Sequence, residues 1–224
     1  MHIPDGFVSG PVNAAGYLVS AGVVGLALAR ANKSLEDHQV PLLGVTSAFV
    51  FAAQMVNVPV AAGTSGHFLG ALLAAVLLGP LNACLVMAVV LTIQCLLFAD
   101  GGLTALGVNV FNMGIVGGGL AYMVFATVRR VLPKTTWCFL FSAGVAAWFS
   151  VVAGSAACAI ELAVSGTVPM RIALPAMAGV HALIGIGEAV ITTVTLSAVL
   201  ASRPDLVHAW SGTTGVAAPA EAKA

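Results

Sequence analysis

Apolar runs long enough to cross a bilayer recur along the chain, broken only by short polar or Gly/Pro punctuation. A transmembrane helix needs about 20 such residues. The runs fall at approximately 10–29, 39–58, 66–79, 81–99, 108–130, 137–163 and 171–200. The third is short, and Gly79-Pro80 forces a tight turn into the fourth. Backbone polar groups have no water partner in hydrocarbon, so each run is expected to be helical. Charged residues make up 7% of the chain, against about 25% in a soluble domain. Such a chain cannot cover a water-facing surface. The expected fold is all-α, a polytopic membrane bundle of about seven transmembrane helices over residues 10–202. An arm, residues 1–9, precedes it, and an Ala-rich cytoplasmic tail, residues 203–224, expected to be flexible, follows it.

Small residues such as Gly114 and Gly118 would let helices pack closely. Cys84, Cys95, Cys138 and Cys158 lie in apolar runs without CxxC spacing and read as small buried hydrophobes. The opening MHIPDGFVSG has no Lys or Arg, unlike a secretory signal, so Met1 is taken as the mature start.

Orientation follows the basic residues. With the N-terminus outside, Arg30, Lys33, Arg129, Arg130, Lys134, Arg203 and Lys223 are cytoplasmic, and only Arg171 is external. The C-terminus is then cytoplasmic too, where His38 and His208 read as ordinary polar residues. The external face gathers MHIPDG, PVAAGTSGH (59–67) and ADGGLTALG (99–107). These segments are almost free of basic charge and offer little repulsion to a cation.

Met1-His2 has the makings of a chelate. The α-amine, the His2 amide nitrogen and imidazole Nδ1 close one five-membered and one six-membered ring around an ion. With the amide deprotonated, three nitrogens lie in one plane. Nickel(II) and copper(II) accept tetragonal nitrogen sites, whereas zinc prefers a tetrahedron. His67, after Gly63-Thr64-Ser65-Gly66 on the same face, is the candidate fourth ligand. Pro4-Asp5-Gly6 has turn chemistry and lets the arm re-enter the protein sharply.

Four ordered blocks, MHIPDGF, AQMVNVPVAAGTSGH (53–67), LFADGGLTALGVNVFNMG (97–114) and HALIGIGEAVIT (181–192), together resemble the cobalt/nickel M subunits of energy-coupling factor transporters, CbiM and NikM. The resemblance runs from Met1 to about Leu200. It implies a substrate-capture subunit of seven membrane helices in a bacterial or archaeal cell membrane. Its implied partners are a transmembrane coupling subunit, ATP-binding-cassette ATPases and a small accessory membrane subunit. It also implies nickel(II) or cobalt(II) held by Met1, His2 and His67.

Other polar residues are candidates to support such a site: Asp5, Asn57, Ser65, Asn109, His181 and Glu188. His181 and Glu188 lie seven apart in the last run and share one helix face, where a buried network that fixes packing is the favoured reading. Glu161 reads as interfacial and Asp100 as a loop cap. Nickel is favoured on geometry, and cobalt uptake for cobalamin synthesis by the same mechanism is the alternative. No nucleic-acid partner is expected. The absence of HExxH opposes a zinc hydrolase. Ser65 stands only two residues from His67 with no oxyanion arrangement, which opposes a serine one. The lack of acidic rings opposes a passive channel. There is no GxxxxGK[ST] loop, so any ATP is expected to be hydrolysed elsewhere.

Overall fold

The computed structural model describes residues 1–35, 39–60 and 64–210. The runs become helices α1 (Gly10–Ser34), α2 (Gln39–Gln54), α3 (Ala71–Leu78), α4 (Pro80–Phe98), α5 (Leu106–Val131), α6 (Thr136–Val164) and α7 (Met170–Ser202). Of these, α1, α4, α5, α6 and α7 are long and apolar enough to cross a membrane. Their large exposed side chains, such as Leu18, Leu97, Phe141 and Leu183, are apolar, as a lipid-facing surface requires.

The second and third runs depart from expectation. Helix α2 stops at Gln54 instead of 58, and the chain forms a hairpin of β1 (Asn57–Val60) and β2 (Thr64–His67). The strands are antiparallel, with Asn57 opposite His67. Pro59 lacks an N–H for a helix interior, and the glycines around Thr64-Ser65 favour a turn over a helix. Only Ala71–Leu78 of the third run is helical, about 12 Å long and too short to span a bilayer. All eight of its residues are buried, as befits a helix that is apolar all round.

Helix α3 is gripped at both ends by one other helix and its extension. Glu188 of α7 accepts the N–H groups of Leu69 (2.7 Å) and Gly70 (2.8 Å) at its start. At its other end, the N–H groups of His208 and Ala209 donate to the carbonyls of Leu77 (3.0 Å) and Val76 (3.1 Å). These bonds satisfy groups that a helix leaves without intrahelical partners. Residues 203–210 therefore belong to the fold, with a turn at Pro204–Leu206 and Trp210 edge-on to Phe139. The rest of the expected tail, 211–224, lies outside the described residues, as does His38.

At Gly114 and Gly118 an added Cβ would find its nearest neighbour at 3.4 and 3.6 Å, ordinary packing contact. Glycines bring α1 and α5 closer still. A Cβ on Gly16 would come within 2.5 Å of the Val108 side chain, and one on Gly107 within 2.5 Å of Tyr17 N. The Ser20 hydroxyl donates to Gly107 O at 2.6 Å across the same contact. Next to it, residues Phe111–Leu120 of α5 widen into a π-helical stretch. There Ser150 and Cys84 donate to the carbonyls of Gly117 (2.6 Å) and Gly114 (3.4 Å).

Candidate metal centre

Residues 1–9 enter the bundle at the end where α4 finishes, α5 begins and α6 turns into α7. Met1 and Ile3 are each 1% exposed. Asn109 Oδ1 accepts the Ile3 N–H (2.9 Å), and Asn109 Nδ2 donates to Ile3 O (3.1 Å). Gly102 N–H donates to the same carbonyl at 2.8 Å. Asp5 accepts Thr104 N–H (2.7 Å) and the Thr104 hydroxyl. Further along, the Thr167 hydroxyl donates to Phe7 O, and Ser9 N–H donates to Ser165 Oγ at 3.0 Å.

This lacing brings His2 against His67, with ring centroids 4.7 Å apart and planes tilted by 34°. His67 Nδ1 lies 2.7 Å from Phe68 O, which places the proton on Nδ1 and leaves the Nε2 lone pair free. That Nε2 is buried with no hydrogen-bond partner. His2 Nε2 stands 3.7 Å from Asp100 Oδ2, outside hydrogen-bond reach but close enough for charge to matter. His2 Nδ1 faces the Gly101 backbone, where an added Cβ would sit 3.5 Å away.

Burial sets the protonation states. It lowers the Met1 amine to about 6, with Cys158 and Asp100 pulling the other way. It lowers His2 to about 3, aided by the Met1 charge. His67 is pushed well below its ordinary value by burial first, then by the charges of Met1 and His2. Burial raises Asp100, which the Met1 charge opposes. The exposed Asp5 is held low by its bonds to Thr104. Near neutral pH both imidazoles and most of the amine are uncharged, the form in which nitrogen binds metal.

Of the sequence candidates, Met1, His2, His67, Asp5 and Asn109 come together here. Asn57 pairs with His67 through the hairpin backbone, and its side chain and that of Ser65 lie outside the described residues. Glu188 is committed to α3. His181 is buried with Nδ1 2.7 Å from Met177 O. Glu161, partly buried one turn before the end of α6, accepts Asn112 Nδ2. Asp100, read from the sequence as a loop cap, follows the end of α4 and lies beside His2.

A family model described as "Cobalt uptake substrate-specific transmembrane region" (CbiM) matches residues 2–206. The chain belongs to the CbiM family. An Archaeoglobus fulgidus protein named among the fused nickel transport proteins, NikMN, is 40% identical over 210 residues, 93% of this chain and 68% of its own. The cobalt transport protein CbiM of Sorangium cellulosum is 37% identical over 188 residues, 82% of this chain and 83% of its own. A solved structure of a truncated transition metal transporter superposes with a TM-score of 0.83 at 33% identity, covering 90% of this chain and 99% of that one. This CbiM-family chain is therefore a multi-pass membrane component of transition-metal uptake.

Proposed function

We propose that the chain is the substrate-capturing subunit of an energy-coupling factor importer for nickel(II), with cobalt(II) as the alternative cargo. The ion sits in a plane of four nitrogens: the Met1 amine, the His2 amide, His2 Nδ1 and His67 Nε2. The observation that carries this reading is the buried, partnerless His67 Nε2 beside the His2 ring at 4.7 Å. Asp100, facing His2 Nε2, would orient that ring by the outer hydrogen bond that ligand histidines commonly make.

In this reading all seven helices lie within the membrane, α2 and α3 among the longer five, with the N-terminus outside and the C-terminus in the cytoplasm. Energy comes from ATP-binding-cassette ATPases through a coupling subunit, with a small accessory membrane subunit, in the cell membrane of a bacterium or archaeon. Nickel is favoured because a planar all-nitrogen field suits its tetragonal preference.

Titration calorimetry on the purified chain tests the site. Nickel should bind with one-to-one stoichiometry, and His2→Ala and His67→Ala should each remove high-affinity binding. Equal binding by all three proteins would falsify the chelate. Metal content after growth in equal nickel and cobalt decides the cargo.

A further inference from the structure

One buried imidazole near the chelate has no role in it. His181 is fully buried in α7. Its Nδ1 is 2.7 Å from Met177 O, one turn back, so the proton resides on Nδ1 and Nε2 presents a lone pair. That Nε2 is buried and has no hydrogen-bond partner. Buried polar atoms in a native fold are nearly always satisfied, by protein, ordered water or an ion.

Placement identifies that partner. Glu188 lies seven residues further along the same face of α7, about 10 Å from His181, and fastens the N–H groups of Leu69 and Gly70. His67 precedes Leu69 by two residues, about 7 Å of extended chain. The two histidines are thus carried away from a common anchor along packed elements, since α7 contacts both strands of the hairpin. His67 Nε2 and His181 Nε2 are both buried without a hydrogen-bond partner, on a strand and a helix that pack against each other.

We propose that His67 and His181 form a second, two-nitrogen metal position that takes the ion when the Met1-His2 arm withdraws. The inference rests on the planar site proposed above. Three of that site's four nitrogens belong to one dipeptide, so they leave together and His67 alone would keep the ion. A single imidazole is a weak ligand, and His181 supplies the second nitrogen from a rigid helix. The ion then has an intermediate station between capture and release.

Nickel titration of four full-length chains tests this: the parent, His2→Ala, His2→Ala/His181→Ala and His2→Ala/His181→Gln. The glutamine can still donate to the Met177 carbonyl, so it separates loss of a ligand from loss of packing. His2→Ala should bind nickel weakly, and both double variants should bind at least about tenfold more weakly still. Equal residual affinity in His2→Ala and His2→Ala/His181→Gln overturns the second position. Parent-like affinity in His2→Ala overturns the planar site, and this inference with it, at the first titration.

Discussion

Asn109 holds both backbone polar groups of Ile3, accepting its N–H at 2.9 Å and donating to its carbonyl at 3.1 Å. One amide side chain thus fixes the peptide directly after Met1-His2. Asn109→Leu, close in volume but without donor or acceptor, should weaken nickel binding by about 10–100-fold. Asn109→Asp keeps the acceptor and should fall between. Titration calorimetry of the three proteins reads the order, and equal affinities would remove Asn109 from the site.

Gly102 makes the other close contact with the arm. A Cβ there would stand 2.2 Å from Asp5 N, 2.5 Å from Asp5 Oδ1 and 2.6 Å from Pro4 C. Backbone cannot give way as a flexible side chain can. Gly102→Ala should expel the arm and abolish high-affinity nickel binding. The melting temperature of the metal-free bundle should change by only a few degrees, because α1–α7 do not depend on this contact. Retained binding in the variant would show that the arm docks elsewhere.

Glu188 should govern stability more than metal affinity. Its removal strands the N–H groups of Leu69 and Gly70 inside the bundle, at about 1–3 kcal/mol each. Glu188→Ala should therefore destabilise the chain by about 2–6 kcal/mol, and Glu188→Gln, which keeps one acceptor oxygen, by less. Thermal unfolding in detergent measures both.

The buried amine makes a prediction about protons. At pH 7 an amine lowered to about 6 is about 90% neutral, whereas one at its ordinary value near 8 would be about 10% neutral. Nickel binding at pH 7 should then release about one proton, from the His2 amide, where an ordinary amine would bring the total to about two. Calorimetry in buffers of different ionisation enthalpy counts them. For the metal-free chain the sign runs with pH. The unfolded amine binds a proton that the folded one refuses between about 8 and 6, so stability falls as pH drops through that window. His2, lowered to about 3, extends the loss from its ordinary value near 6.5 downward.

The helices were legible because lipid leaves a spanning backbone no alternative, though five of the seven are long and apolar enough to cross a membrane, and their starts and ends were close except around residues 55–70. That stretch, MVNVPVAAGTSGHFLG, sets apolar residues at both ends of a segment that also carries Asn57, Thr64, Ser65 and His67. In a membrane chain an apolar run does not distinguish a spanning helix from a buried strand, and Pro59 was the available warning. The meeting of His2 with His67 was readable because the chelate chemistry of Met1-His2 asks for one further nitrogen on the same face. Asp100 and the clamp by Glu188 were not. Each depends on a pairing nearly a hundred residues or more away in sequence, Glu188 with Leu69 above all, and spacing within one helix cannot reveal the partner on another.

The bracketing of α3 by α7 has a mechanical consequence. Four hydrogen bonds, two accepted by Glu188 and two donated by His208 and Ala209, tie the short helix to the long one and its extension. The pair must travel as one lever or break all four. Because α7 has 33 residues, about 50 Å of rigid rod, a tilt too small to notice beside His67 becomes a displacement of several ångströms near Ser202. A spectroscopic ruler between α1 and the far end of α7 is therefore the sensitive place to watch the ion come and go.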